Sequence, residues 1–589
     1  MDDLKGMERQ ALIIALIFLS ALFVIALRLW QVQVIDHPSY RRLALVNAAR
    51  SMPLIAPRGV IYDRNGKLLV GNRPVFSVYI LQSEIKDREY AVRKLASLIK
   101  MDKDEVLKKL NDKKARPFDP IMIKEDAPID EVTRIEEEKS SLKGVVVSVR
   151  PVRSYPNKSV AAHVLGYIGE VTAADLEKDP AKQLGPGDLI GKAGIEKIYD
   201  AYLRGVNGGE RMSVNIFGSS GQVKGFEESV PGKNLRLTID LELQKASEKA
   251  LGGRNGAVVV IDPGTGDILA LVSHPSYDPN IFSGPISPST WKQLSGGSHP
   301  FLNRALSVYP PGSTFKVVTL SAVLEKALAR PEEKFFCPGF FKLGARTAKC
   351  WKHSGHGTLT LLEGLVQSCD VVFYNMGLRL GPDILAEFAK GYGLGERTGI
   401  DLPAESGGVV PTSAWKKRIY KESWYPGDSI NYAIGQGFLW VTPIQLANLY
   451  ASIANGKARY EPHLISEIRD REGEDIFLYK PRQIGAVPVS PKTLEYVKKA
   501  LHDVVSRGTG RAARITTFEA AGKTGTAENP RKPAHAWFLC YAPYDGQQLA
   551  IASFVEHGAH GDQVTARIAH DILKWYLDNR VALRTKDNK

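Results

Sequence analysis

A chain of 589 residues is too long for a single hydrophobic core, because cores stop growing beyond about 250–300 residues, so two or three folded units are expected. A composition of 44% hydrophobic and 24% charged residues is that of a globular protein and excludes a wholly disordered, collagen-like or polytopic membrane chain. Lys and Arg number 78 against 64 Asp and Glu; the formal charge of +14 favours anionic surfaces without choosing among nucleic acid, phospholipid and cell-wall polymer.

Residues 11–27, ALIIALIFLSALFVIAL, form an uncharged run near the lower limit of about 17 residues for crossing a bilayer core. Arg28 can snorkel and Trp30 can sit at headgroup level, which extends the usable span to about 20 residues, or about 30 Å of helix. A transmembrane anchor over 11–30 behind a cytoplasmic tail at 1–10 is therefore expected. A buried core helix and a cleaved signal peptide are the alternatives, and the helical pattern continuing through LRLWQVQVI without a turn-rich cleavage site favours the anchor. Charge does not orient it: Lys5 and Arg9 precede the span among Asp2, Asp3 and Glu8, while Arg28, Arg41 and Arg42 follow it.

Residues 31–233 mix short β-rich pieces, at 75–81 and 145–151, with charged helical stretches, the pattern of an α+β module; KDEVLKKLNDKKARP reads as a solvated face. A second region, 234–578, begins with two apolar strands around an Asp-Pro-Gly-Thr-Gly-Asp turn at 256–273, which predicts a hairpin. The helical stretches FKVVTLSAVLEKAL and VTPIQLANLYASIANG follow, then strands near Lys523 and at HAWFLCYAP and LAIASFVE. Strands, helices and strands again predict an α+β fold whose antiparallel sheet is flanked by helices, with a helical subdomain between. Residues 579–589 are expected to be a flexible tail.

The chemistry is concentrated in three places. YPPGSTFK at 309–316 puts Ser313 at the entry of a helix, where the helix dipole favours developing negative charge, and Lys316 lies one turn on along the same face. A serine hydroxyl is a poor nucleophile, and an amine takes its proton only when neutral, which asks for a lysine pKa lowered from about 10.4 by burial or a second cation. Ser-x-x-Lys also occurs at Ser83, Ser140, Ser289 and Ser413, so the spacing alone says little; the Pro-Pro-Gly entry and the apolar helix behind it single out Ser313. The second element is Ser368-Cys369-Asp370. The third, Lys523-Thr524-Gly525-Thr526, offers an ammonium and hydroxyls to a carboxylate, with Gly525 small enough for a substrate backbone to lie close and with the Lys523 charge expected to depress Lys316.

This ordered set resembles the penicillin-recognising acyltransferases. The resemblance covers nearly the whole chain, through RGVIYDRNG at 58–66, GKAGIEKIYDAYLRG at 191–205, WYPGDSINYAIGQG at 424–437, GTGRAA at 508–513 and HAWF at 535–538, and is to the class B penicillin-binding proteins. The Gly-His-Gly segment, the Ser-Cys-Asp motif and HAWF are similar to the elongation-type subgroup, with division-type relatives the nearest competitors. The resemblance implies a single N-terminal transmembrane helix, an elongated pedestal/dimerisation-type domain over 31–233 and a penicillin-binding transpeptidase domain over 234–578. The family's second motif commonly ends in Asn where this chain has Asp370. Ser429-Ile430-Asn431 supplies a literal alternative, but Ser368 has the family's spacing from Ser313.

Carried onto this sequence, the resemblance implies Ser313 as the acylated nucleophile, Lys316 as its base, Ser368 as a proton relay beside Asp370, and Lys523, Thr524 and Thr526 as the carboxylate-binding strand. The backbone N–H groups of Ser313 and Thr526 would form an oxyanion hole. The implied reaction is D,D-transpeptidation of peptidoglycan stem peptides ending in D-Ala-D-Ala, open to β-lactams and needing no cofactor. The implied partners are a RodA-type membrane glycosyltransferase and other elongation-complex proteins, not nucleic acid, at the bacterial inner membrane with the catalytic domain on the periplasmic side. A β-lactam sensor or β-lactamase shares the serine chemistry, and a scaffold that activates a glycan polymerase through the pedestal is the non-enzymatic alternative.

Cys337, Cys350 and Cys369 cluster with His356, a set of soft ligands that suits a structural zinc, at wider spacing than zinc fingers. A Cys337–Cys350 disulfide is the alternative in an oxidising compartment, and His353 the alternative imidazole. Cys369 tips the reading toward metal, since it neighbours Ser368 and would let the ion brace that loop.

Overall fold

The computed structural model describes residues 2–36, 49–85, 87–111, 120–178, 184–185, 187–214, 220–284, 286–516, 519–529, 532–544, 547–558 and 563–587. The N-terminal helix Asp2–Trp30 continues as a π-helical turn Gln31–Ile35, and its stretch Leu16–Ile35 is long and apolar enough to cross a membrane. Arg41 and Arg42, weighed for orientation, lie outside the described residues.

The chain divides into two units. The smaller comprises Met1–Pro57, Arg73–Val152 and Gly205–Pro231; the larger comprises Arg58–Asn72, Arg153–Arg204 and Gly232–Lys589. In the smaller unit the helices Arg88–Leu98, Lys103–Leu110 and Ile129–Glu137 turn Val92, Leu95, Val106 and Ile135 toward Val78, Ile80 and Ile123 of the strands. Helix Lys103–Leu110 buries Val106 and Leu110 and leaves its charges largely in solvent, as its sequence predicts; residues 112–119 lie outside the described set. A separate antiparallel sheet joins Ala49–Leu54, Gly208–Val214 and Ser220–Glu227.

Segments 58–72 and 153–204 fall within the pedestal sequence yet belong to the larger unit. The two segments are tied to each other by a buried ion cluster: Glu196 accepts from Arg58 Nε at 2.7 Å and Arg153 Nε at 2.6 Å, and Arg58 Nη2 reaches Asp200 at 2.6 Å. Burial pushes the Glu196 carboxyl up, but the charges of Arg153 and Arg58 outweigh it and hold the group below its ordinary value.

The centre of the larger unit is a five-stranded antiparallel sheet of β1 (Gly256–Ile261), β2 (Ile268–His274), β3 (Ala521–Ala527), β4 (His535–Tyr544) and β5 (Gln547–Val555), in the order β2-β1-β5-β4-β3. The expected hairpin joins β1 to β2, closed by Asp262 N to Asp267 O at 2.9 Å and by Gly266 at φ +84°. Every residue of β1 is buried, because both faces are covered. Ala257, Val259 and Ile261 face the layer containing Lys316–Glu325 and Pro443–Asn455, whereas Val258 and Val260 face Leu241–Leu251 and Val564–Asp587. The Ser313, Ser368 and Lys523 motifs sit on the first of these sides, β3 forming one end of the sheet.

Candidate active site

Ser313 lies in a 3₁₀ turn, Gly312–Phe315, that leads directly into helix Lys316–Glu325. Positions three apart eclipse in such a turn, a geometry compatible with Ser313 and Lys316 sharing one side. The turn is seated by backbone. Gly312, at φ +56°, donates to Gly435 O at 2.9 Å, and a Cβ on it would stand 2.4 Å from Thr526 O. Ser313 is half-buried while Gly312, Thr314 and Phe315 are buried. Phe315 stacks on Tyr432 with ring centres 5.4 Å apart, which anchors the turn from beneath.

The two lysines are fully buried and meet at one hydroxyl. Lys316 Nζ donates to Ser368 O at 2.8 Å and to Asp370 Oδ1 at 2.7 Å, and lies 3.4 Å from Ser368 Oγ. Lys523 Nζ donates to the same Ser368 Oγ at 2.8 Å and to Thr524 O at 2.9 Å. Burial drives Lys523 well below the ordinary lysine value and the charge of Lys316 pushes it further down, opposed by Asp370.

Ser368 is held for this task in the left-handed region, at φ +53°, between helix Leu361–Val366 and helix Asp370–Gly391, which Cys369 caps. A non-glycine residue there is strained, and strain of this kind persists where surrounding contacts dictate the conformation. Trp351, which no sequence motif singles out, adds to the contacts made by Lys316 and Lys523. Its backbone N–H donates to Asp370 Oδ2 at 2.9 Å, and its indole N–H to Gln367 O at 3.2 Å and Ser368 O at 3.1 Å. Asp370 thus spans Lys316 and the 350–351 loop. The literal alternative, Ser429, is buried in helix Pro426–Ala433, where its hydroxyl accepts from Trp424 Nε1 at 2.9 Å. Among the described contacts only Ser368 joins the two lysines.

On β3, Lys523 and Thr524 are buried and Thr526 is exposed. A Cβ on Gly525 would lie 2.7 Å from Thr314 Cγ2 and 3.1 Å from Pro311 O, so its missing side chain makes room for the serine turn.

The cysteine cluster assembles as predicted in space: the ligand atoms of Cys337, Cys350, His356 and Cys369 lie within 4.8 Å of one another, and His356 Nδ1 is 3.6 Å from the sulfurs of both Cys337 and Cys350. All four cysteines of the chain are free thiols, so the Cys337–Cys350 disulfide is not formed, and His353 lies exposed. Proton sharing with Cys369 lowers the Cys350 thiol to about 5 and pushes Cys369 up. Clustered thiols are not by themselves a metal centre, and the comparisons below give zinc no support.

Comparison with known proteins places two domains on the chain. Residues 256–574 match the penicillin binding protein transpeptidase domain and residues 53–237 the penicillin-binding protein dimerisation domain. Peptidoglycan D,D-transpeptidase MrdA of Acinetobacter baumannii is 32% identical over 95% of this chain and 86% of that protein. A solved complex of penicillin-binding protein PBP2 with MreC from Helicobacter pylori is 29% identical, with a TM-score of 0.78 over 90% of this chain and 99% of the other. A chain of a peptidoglycan synthase complex, described as coordinating polymerization and crosslinking, is 32% identical, with a TM-score of 0.72 over 95% of this chain and 97% of the other.

Proposed function

Because the chain belongs to the penicillin-binding protein transpeptidase family, we propose that Ser313 forms the acyl-enzyme of an elongation-type peptidoglycan D,D-transpeptidase. The observation that carries this reading is the meeting of Lys316 and Lys523 at Ser368 Oγ beside the Ser313 turn. Ser313 Oγ attacks the carbonyl carbon of the penultimate D-Ala of a stem peptide. The C–N bond breaks, and the serine proton passes through Lys316 and Ser368 to the departing D-Ala amine. Asp370, 2.7 Å from Lys316 Nζ, holds that side chain beside Ser368. An amine of a neighbouring stem peptide then attacks the ester and its proton returns to Ser313 Oγ. Lys523, Thr524 and Thr526 receive the terminal carboxylate, and the backbone N–H groups of Ser313 and Thr526 stabilise the oxyanion, a contribution of about 3 kcal/mol per donor. No cofactor takes part.

The full chain labelled with a fluorescent penicillin, digested and read by mass spectrometry tests this. The expected adduct is on the peptide containing Ser313 and is long-lived; no adduct, or one elsewhere, overturns the assignment, and rapid penicillin turnover would point to a β-lactamase.

The N-terminal helix would anchor the protein in the cytoplasmic membrane with the catalytic unit on the periplasmic side. The similar structures with MreC and in a synthase complex support elongation partners; a RodA-type glycosyltransferase is the polymerising partner that the family resemblance implies. Ser313→Ala supporting cell elongation would make scaffolding the main role.

The cluster of Cys337, Cys350, His356 and Cys369 would hold a structural zinc. A tetrahedral ion with Zn–S of about 2.3 Å and Zn–N of about 2.0 Å has sulfur–nitrogen edges of about 3.5 Å, close to the sulfur–imidazole separations of 3.6 Å. Such a brace would fix Trp351 and hence Asp370. Zinc content of purified protein, with Cys369→Ser as control, decides it; metal-free wild type removes the ion.

A further inference from the structure

The segment Gly508-Thr509-Gly510 has no part in the chemistry described so far, yet it is wedged between the second and third motifs. A Cβ on Gly508 would fall 2.5 Å from Val366 O, at the end of the helix that leads to Ser368, and Thr509 N donates weakly to the same carbonyl at 3.4 Å. Arg507 fastens the entrance of the segment, reaching Glu363 Oε1 at 2.6 Å and Asp503 Oδ2 at 2.9 Å. From this platform the Thr509 hydroxyl lies 2.8 Å from the Thr524 hydroxyl, and either oxygen can be the donor.

Chemistry decides the direction once a substrate arrives. A threonine hydroxyl has one proton to give and lone pairs to receive with. A peptide's terminal carboxylate, with a pKa of about 3.5, carries no proton near neutrality and can only accept. Thr524 can therefore serve the carboxylate only if its proton points there, and the Thr509 contact must then be one in which Thr509 donates and Thr524 accepts.

We propose that Thr509 is a positioning residue for carboxylate recognition, donating to Thr524 so that the Thr524 proton is directed at the substrate's terminal carboxylate. The inference rests on the reading of Thr524 as part of the carboxylate-binding strand. Without Thr509 the Thr524 hydroxyl is free to turn, and a buried hydroxyl deprived of its donor presents its proton to the substrate less often. Two hydroxyls in series also polarise one another, strengthening the terminal bond.

The test compares acylation of the full chain by benzylpenicillin and by its methyl ester, which keeps the ring and lacks the negative carboxylate. Intact-mass spectrometry gives both rates for wild type, Thr509→Val and Thr509→Ser. Valine preserves the shape and removes the hydroxyl, so the benzylpenicillin rate is expected to fall about tenfold while the methyl ester rate stays unchanged. Serine is expected to restore the benzylpenicillin rate. Equal losses on both compounds, no loss on benzylpenicillin, or failure of serine to restore it would each overturn the proposal. Wild type that is not acylated at Ser313 by benzylpenicillin would instead sink the reading of the site, so the two failures are distinguishable.

Discussion

Replacing Ser368 separates its two duties. The hydroxyl is the shared partner of two buried amines, at 2.8 Å from Lys523 and 3.4 Å from Lys316, while the backbone sits at φ +53°. Ser368→Ala removes the hydroxyl and keeps the strain; Ser368→Gly removes the hydroxyl and relieves it. Loss of a positioned proton-transfer group costs about 10²–10⁴-fold in rate, so both variants should be acylated by a fluorescent penicillin at least about 100-fold more slowly than wild type. Stability should split them. A non-glycine residue in the left-handed region costs about 1–2 kcal/mol, part of which glycine's extra unfolded freedom offsets, leaving the Gly variant about 1 kcal/mol more stable than the Ala variant. Stopped-flow acylation and urea denaturation of the two proteins read both quantities. Acylation of Ser368→Ala within about tenfold of wild type would refute the relay. A glycine variant no more stable than the alanine one would refute the strain.

Lys523 links stability to pH. Its folded-state pKa is depressed below the unfolded value of about 10.4, so between the two the unfolded chain binds one proton more and stability rises with pH. Lys523→Met should thus be stabilising at pH 7, with the advantage over wild type shrinking as pH approaches 10; denaturation midpoints at the two pH values check it, and a constant difference contradicts it. Glu196→Gln leaves Arg58 and Arg153 facing each other in a buried site without their carboxylate and should cost about 3–5 kcal/mol, measured by denaturant unfolding. A cost below about 1 kcal/mol would show that water reaches the pair.

The three catalytic motifs, the 256–273 hairpin and the N-terminal apolar helix were legible because each is written in contiguous residues with its own turn or hydrophobic signature. What escaped is carried by contacts distant in sequence. Trp351 supports Asp370 through its backbone N–H, a group every residue but proline possesses, so no side-chain pattern announces it. Thr509 stands in a quoted segment, but its pairing with Thr524 depends on a loop folding back onto β3. Segment 58–72 is tied to segment 153–204 by the Arg58–Glu196 ion pair, 138 residues apart and beyond any periodicity. At Gly525 smallness is visible in the letters, whereas the neighbour that needs the space, Thr314, is not.

The seat of Ser313 is made of main chain resting on main chain. A Cβ on Gly435 would stand 2.1 Å from Gly312 O, just as one on Gly312 would meet Thr526 O, so three remote stretches touch with no side chain between them. Such joints have no rotamer to absorb a displacement, so a shift in any one of the three is passed on to the Ser313 turn. Changes in reactivity that leave the cleft lining untouched are therefore to be sought behind these joints, at supports such as Phe315 and Tyr432.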